Sequence, residues 1–313
     1  MEKIQNLISS TKLYQFLIPF FEDQLVDEVL INSTRFCVVY RSDGVIKTTD
    51  SFYNNEDSMI EDMQYFSYSQ GVRLDPCCPI NGGLFRTKNW DIRWHFVLPS
   101  VSVGGALLSF RRHRFDSLKI SSFVDRRGED RDLSICTSIL ESIFRGKEPL
   151  IVCGATGTGK TSLLYACLKT YLWNNRVTII EQLREFPDEC SGWVHLVEKT
   201  PNIDGYGGYK METIFKEVLR LRPDNIVVGE IRGQEEMRVF FEALQSGHTG
   251  VYTTCHAGSP NQLESRLRYL GSQDDIKSVF EDTSVNLCIT RSDRSYKIDG
   301  IYKFKHNTWI KLY

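Results

Sequence analysis

The chain has 313 residues, enough for two ordinary domains, and its 41% hydrophobic and 25% charged side chains argue against global disorder. Its formal net charge of −2 argues against a chain-wide electrostatic grip on nucleic acid and leaves only a local patch for that role. The nine cysteines (Cys37, Cys77, Cys78, Cys136, Cys153, Cys167, Cys190, Cys255 and Cys288) are scattered and form no C-x-x-C pair. Neither a zinc ribbon nor a redox motif is written there, and free thiols fit a reducing compartment.

Taken in order, the first residues are mildly apolar but interrupted by polar ones. They show neither a signal-peptide core nor a small-residue cleavage site. No run approaches the roughly 18 apolar residues of a membrane span, so the expectation is a soluble, cytoplasmic chain. Leu7, Phe16, Leu17 and Phe20 suggest an early helix. The apolar pattern at 17–21 fits either packing in a core or docking on a membrane platform. VDEVLINSTRFCVVYRSDGVIKTTD reads as strand, turn and strand, with Asp43-Gly44 as the hairpin turn. A helix follows over SMIEDMQYFSYSQG, closed by Gly71, and then two strands, IRWHFVLPS and GGALLSFRR. PCCPINGG has no assignment.

Residues 1–115 therefore read as a smaller α+β domain, and the polar stretch 116–132 as a linker. From 133 to 313 the pattern becomes α/β. A helix (LSICTSILESIFRG) leads to the apolar strand PLIVCG, a glycine-rich loop and a second helix (TSLLYACLKTYLW). RVTIIE, NIVVGE and GVYTTCHA are further strands, separated by the helices METIFKEVLRLRP and EEMRVFFEALQSG. Strands alternating with helices predict a parallel sheet covered on both faces.

Residues 154–161 match G-x-x-x-x-G-K-[ST] with Gly154, Ala155, Thr156, Gly157, Thr158, Gly159, Lys160 and Thr161. The glycines let backbone N–H groups turn inward on phosphate oxygens, and the following helix adds its positive end. Lys160 is placed to reach the β and γ phosphates of ATP, Thr161 to ligate Mg2+, and Ser162 to extend the cradle. The match follows an apolar strand and opens a helix, as this chemistry requires.

Three further strand ends carry reactive groups. A buried parallel strand delivers its last residue to the ligand crevice. Glu230 ends one such strand, placed either to polarise a water against the γ-phosphate or to hold magnesium through water. Glu181 ends another, with Glu185 four residues on, and joins Thr161 and Glu230 as a candidate for metal binding and catalysis. His256 ends the third, where an imidazole can contact the γ-phosphate. His248 sits in a turn.

These residues together resemble the secretion and traffic ATPases of type II and type IV secretion, type IV pili and Tad pili. GATGTGKTSLL resembles their Walker A motif, VTIIEQLREF their acidic box, LRLRPDNIVVGEIRGQE their Walker B region and SGHTGVYTTCHA their His box. DIRWHFVLPSVSVGGALLSFRR resembles the arginine-bearing strands of their N-terminal domain. GEIRG with Gly233 is closer to the type IV secretion and Tad branch. The resemblance implies a RecA-like P-loop domain in a homohexameric ring that hydrolyses ATP with Mg2+. It implies work on secretion or pilus assembly with inner-membrane platform or channel proteins, peripheral membrane association, and no nucleic-acid partner. It further implies catalytic roles for Lys160, Glu181, Glu230 and His256, and phosphate contacts for Arg93, Arg111 and Arg112. The family's acidic box carries Glu-Asp; here it is Glu181-Gln182. That departure keeps open an ATP-binding regulatory ring subunit of poor turnover, beside a nucleic-acid translocase on the same core.

Overall fold

The computed structural model describes residues 12–49, 53–86, 91–113, 119–124, 130–187, 190–201, 206–272, 276, 280, 284–292 and 296–313. The chain divides into two units, Met1–Arg114 and Phe115–Tyr313.

In the first unit, α1 (Lys12–Glu22) buries Leu13, Leu17 and Phe21. Spacings of four residues put all three on one face. The apolar pattern at 17–21 is therefore packed in the unit's core; Leu7, expected in the same helix, lies outside the described residues. β1 (Val26–Asn32), β2 (Phe36–Arg41) and β3 (Ile46–Thr49) form two successive hairpins. The second turns at Asp43-Gly44 as expected, with Gly44 at φ 80°. The first turns through Ser33 at φ 54°, which splits the stretch expected as a single strand. α2 (Glu56–Ser69) is capped by the Asn55 side chain, which accepts from the Asp57 N–H. β4 (Ile80–Arg86), β5 (Asp91–Val97) and β6 (Leu107–His113) complete an antiparallel sheet of order β3-β2-β1-β6-β5-β4. Phe66 of α2 meets Trp94, Phe96 and Phe110 of β5 and β6 at centroid distances of 5.3, 5.7 and 6.3 Å.

The second unit holds a sheet of order β14-β13-β12-β7-β11-β10-β8-β9. Its parallel part comprises β7 (Leu150–Cys153), β8 (Val177–Glu181), β9 (Val194–Val197), β10 (Asn225–Ile231), β11 (Val251–Cys255) and β12 (Asn286–Ser292). β13 (Tyr296–Lys305) and β14 (Thr308–Lys311) extend it antiparallel.

Successive side chains of a strand point to opposite faces, and the two cores follow that alternation. Leu150, Val152, Ile179 and Val227 pack with α3 (Asp130–Arg145) and α4 (Lys160–Tyr171) on one face. Ile151, Cys153, Ile180, Ile226 and Val228 pack with α5 (Met211–Val218), α6 (Gln234–Gln245) and α7 (Pro260–Leu270) on the other. This is why the strands read as unbroken apolar runs. Of the stretch 116–132, Ile120 and Phe123 belong to a 3-10 turn and, with Val124, are buried in the first of these cores. That part is packed structure of the second unit rather than a free tether. Among the described residues, no helix is long and apolar enough to cross a membrane.

Candidate active site

β7 ends at Cys153 and α4 begins at Lys160, so residues 154–159 form the turn between a buried strand and a helix N-terminus. Gly157 and Gly159 take φ of 76° and 81°, the left-handed region that glycine enters at no steric cost. Gly154 is required for a different reason. A Cβ there would lie 2.4 Å from Thr158 Oγ1 and 2.5 Å from Thr290 Oγ1. Those two hydroxyls are 2.9 Å apart, and they reach the carbonyls of Ala155 and Cys153 at 2.9 and 3.0 Å. Thr290 comes from β12, the parallel neighbour of β7, and braces the loop from the side. Ala155, Thr156 and Gly157 are exposed, Ser162 is half-buried, and Thr158 and Lys160 are buried. The loop thus offers its backbone to solvent while its anchoring side chains face inward.

Lys160 Nζ lies 3.0 Å from the Ala155 carbonyl and 3.4 Å from His256 Nδ1. Burial pushes its pKa below the ordinary lysine value, opposed by the carboxylate of Glu230. His256 directly follows β11, and its Nε2 is 3.0 Å from Glu230 Oε1. An amine donates to Nδ1, so the imidazole proton sits on Nε2 and is given to Glu230. Burial, and then the charge of Lys160, push the His256 pKa below its ordinary value. The sign follows directly. A proton joins the ring only at pH below about 6.5, so the ring is neutral at pH 7. A pH titration followed by the NMR resonances of His256 is expected to show a midpoint below that of a free histidine. A midpoint at or above the free value sinks the reading of a neutral ring at pH 7.

β10 delivers Glu230 through a register shift against β11 between Val228 and Glu230. The carboxylate is held at both oxygens, by His256 on one and by Arg232 Nε at 2.5 Å on the other. Burial alone raises its pKa, but Arg232, His256 and Lys160 outweigh burial and leave it below the usual glutamate value. Arg232 also reaches Glu185 Oε1 at 3.4 Å, and Glu185 Oε2 accepts from Thr161 Oγ1 at 3.3 Å. A chain of contacts therefore runs from the helix N-terminus through Glu185 and Arg232 to Glu230. It borders an open, shallow cleft lined by Glu181, Gln182, Leu183, Glu185, Gly229, Glu230 and Arg232.

Glu181 departs from the role read in the sequence. It is 3% exposed, and its Oε1 accepts the N–H groups of Glu185 at 2.7 Å and Phe186 at 3.2 Å. This anchors the turn that carries Glu185. The carboxylate that meets the Thr161 hydroxyl is Glu185, not Glu181. Glu181 Oε2 has no hydrogen-bond partner among the described residues; His195 Nδ1 of β9 lies 3.9 Å away and is itself without a hydrogen-bond partner among them. Gln182 donates to Glu236 Oε1, and Glu236 Oε2 accepts the Gly233 N–H at 2.8 Å to cap α6. The amide thus ties the acidic turn to the helix that follows Glu230. His248 pairs with Ser246 Oγ at 3.0 Å within its own turn.

The candidate arginines lie in the first unit. Arg93 and Arg111 are register partners on β5 and β6. On its other side Arg111 is the register partner of Glu28 on β1, so a carboxylate stands opposite it in the same row. Arg112 departs from expectation. Its guanidinium donates to the carbonyls of Phe21 and Asp23 and lies over the Phe21 ring at 5.6 Å from the centroid. It braces α1 instead of offering itself to a phosphate. Sequence reasoning also passed over Arg232, although its place two residues after Glu230 on the same segment was a usable signal. Thr290 and His195 carried none.

The loop, its lysine and the strand-end groups together place the second unit among P-loop nucleotide-binding domains of the RecA-like kind. The chain belongs to the family described as Type II/IV secretion system protein, matched over residues 84–291. A Mycobacterium tuberculosis protein whose provisional name assigns it to conjugal transfer is 32% identical over 212 residues, 67% of this chain and 59% of that protein. The type IV secretion system protein PtlH of Bordetella pertussis is 34% identical over 125 residues, 40% of this chain and 37% of PtlH. The chain thus spans less than two thirds of the length of these relatives. The Legionella pneumophila ATPase DotB superposes with a TM-score of 0.61 at 17% identity, over 93% of this chain and 80% of that one. The pilus retraction motor PilT with bound ADP gives 0.62 at 16%, over 94% and 83%. Likeness at this level of identity establishes the fold.

Proposed function

We propose that this protein hydrolyses ATP and works as a motor of a secretion or pilus machine. The observation that carries the reading is Glu230, an ionised carboxylate at the end of β10, held by His256 and Arg232 beside the lysine of the phosphate loop. In the proposed step Glu230 orients a water and takes its proton. The water oxygen bonds to the γ-phosphorus as the bond to the bridging β–γ oxygen breaks, and ADP departs with the electron pair. Lys160 and the N–H groups of the loop offset charge on the phosphate oxygens. The Thr161 hydroxyl, with the Glu185 carboxylate 3.3 Å away, would suit a Mg2+ held chiefly by substrate phosphates and water. Bound there, the ion neutralises phosphate charge.

Gln182 gives little support to a subunit of poor turnover, since its amide holds Glu236 and keeps the acidic turn in place. Phosphate release from ATP by the purified chain, with Glu230→Gln as the blank, tests hydrolysis. The absence of any difference between the two overturns the reading. The family further supports a homohexameric ring working at the inner membrane with platform or channel proteins. Light-scattering mass in the presence of a non-hydrolysable ATP analogue is expected at six times the 36.1 kDa chain. A monomer with and without the analogue removes the ring.

A further inference from the structure

Of the groups around the expected terminal phosphate, Glu230 lies on β10, and Glu185 and His256 follow β8 and β11. These strands all lie on one side of β7 in the sheet, whereas β12 and β13 lie on its other side. A triphosphate whose terminal group is held among the former extends its nucleoside end away from them. On the β12–β13 side the loop meets an aromatic pair. Tyr296 opens β13, and Phe123 ends the 3-10 turn that packs against α4 and β13. Their rings are stacked, with centroids 6.0 Å apart and planes at 30°. Phe123 is fully buried, whereas Tyr296 is 43% exposed.

The pair touches the phosphate loop itself. A Cβ on Gly159 would lie 2.9 Å from Phe123 Cε1 and 3.1 Å from Tyr296 Cδ1. The last glycine of the loop is therefore seated against both rings. The buried Phe123 stacks on the Tyr296 ring, and Tyr296 stays partly exposed beside the loop. An exposed, oriented aromatic ring next to a phosphate cradle suits a planar heterocycle.

We propose that Tyr296 is the base platform of this site, on which the purine of the bound nucleotide stacks. The proposal rests on the nucleotide-binding reading of the loop, and its test separates the two. Affinity for a fluorescently labelled ADP is measured for the whole chain and for Tyr296→Ala, Tyr296→Phe and Tyr296→Trp. Inorganic tripolyphosphate serves as a competitor that has phosphates and no base. Base–aromatic stacking predicts a loss of about tenfold in ADP affinity for Tyr296→Ala, with Phe and Trp within about twofold of the parent. Tripolyphosphate is expected to bind the parent and Tyr296→Ala equally. In Tyr296→Trp, ADP is expected to quench the added fluorescence and tripolyphosphate is not; this arm stands if the alanine variant fails to fold. Equal losses for ADP and tripolyphosphate make Tyr296 a support of the loop and overturn the proposal. So does an unchanged ADP affinity in Tyr296→Ala, or a phenylalanine variant as weak as alanine. A parent chain that binds ADP with these signatures but releases no phosphate refutes hydrolysis and leaves the platform standing.

Discussion

Glu230→Gln is expected to slow phosphate release from ATP by about a hundred- to a thousandfold, with ATP affinity within about threefold of the parent chain. Glutamine keeps the volume and one carbonyl oxygen, so the contact from the His256 Nε2–H survives. What goes is the negative charge and with it the capacity to take a proton from water. The contact with Arg232 is lost as well, since the oxygen that met Arg232 Nε becomes an amide NH2 and two donors face each other. The group acts on the attacking water and not on the bound phosphates, so the loss falls on kcat rather than on binding. Steady-state kinetics and equilibrium titration on the same preparation separate the two. A variant whose KM rises while kcat holds would falsify the assignment of Glu230 to the reacting water.

Lys160→Ala has the opposite signature. Its ammonium donates to the Ala155 carbonyl at 3.0 Å, and the side chain is buried. A charge-assisted bond to phosphate contributes about 1.5–3 kcal/mol, so removal is expected to weaken ATP binding by about ten- to a hundredfold, read by calorimetric titration. The same change relieves the positive charge that helps hold the His256 pKa down. In Lys160→Ala the His256 midpoint is expected to rise toward the ordinary value, a shift visible in the titration described above. Unchanged ATP affinity would show that Lys160 Nζ stays on the Ala155 carbonyl and never engages the nucleotide.

Much of the site was legible because it is local. The loop, its flanking strand and helix, Glu230 and His256 follow from runs of consecutive residues whose backbone demands are visible one at a time. The missed strands failed for stated reasons. β4 opens after Pro79 and contains Gly82-Gly83, which erase the alternation of a strand. β9 is four half-buried residues at the sheet edge, where neither face is fully apolar. β12 to β14 lie beyond the last motif.

Glu181 and Arg112 show the other limit. Both residue types fit the expected chemistry, and both sit at the expected ends of strands. Their side chains are claimed by near neighbours, Glu181 by the N–H groups of Glu185 and Phe186, and Arg112 by the carbonyls of Phe21 and Asp23. A sequence names the groups a residue can offer; it does not say which partner reaches them first.

By itself, the sequence determined that 154–161 is a glycine-rich turn from a buried strand into a helix and that strand-end groups lie near it, because backbone conformation and strand burial are set by adjacent residues. Only the tertiary structure decided that Glu185 rather than Glu181 meets Thr161, that Thr290 braces the loop, and that Tyr296 lies beside Gly159. Those contacts join residues as far apart as Thr158 and Thr290, 132 positions along the chain, and they exist only once the sheet order has brought β12 and β13 alongside β7.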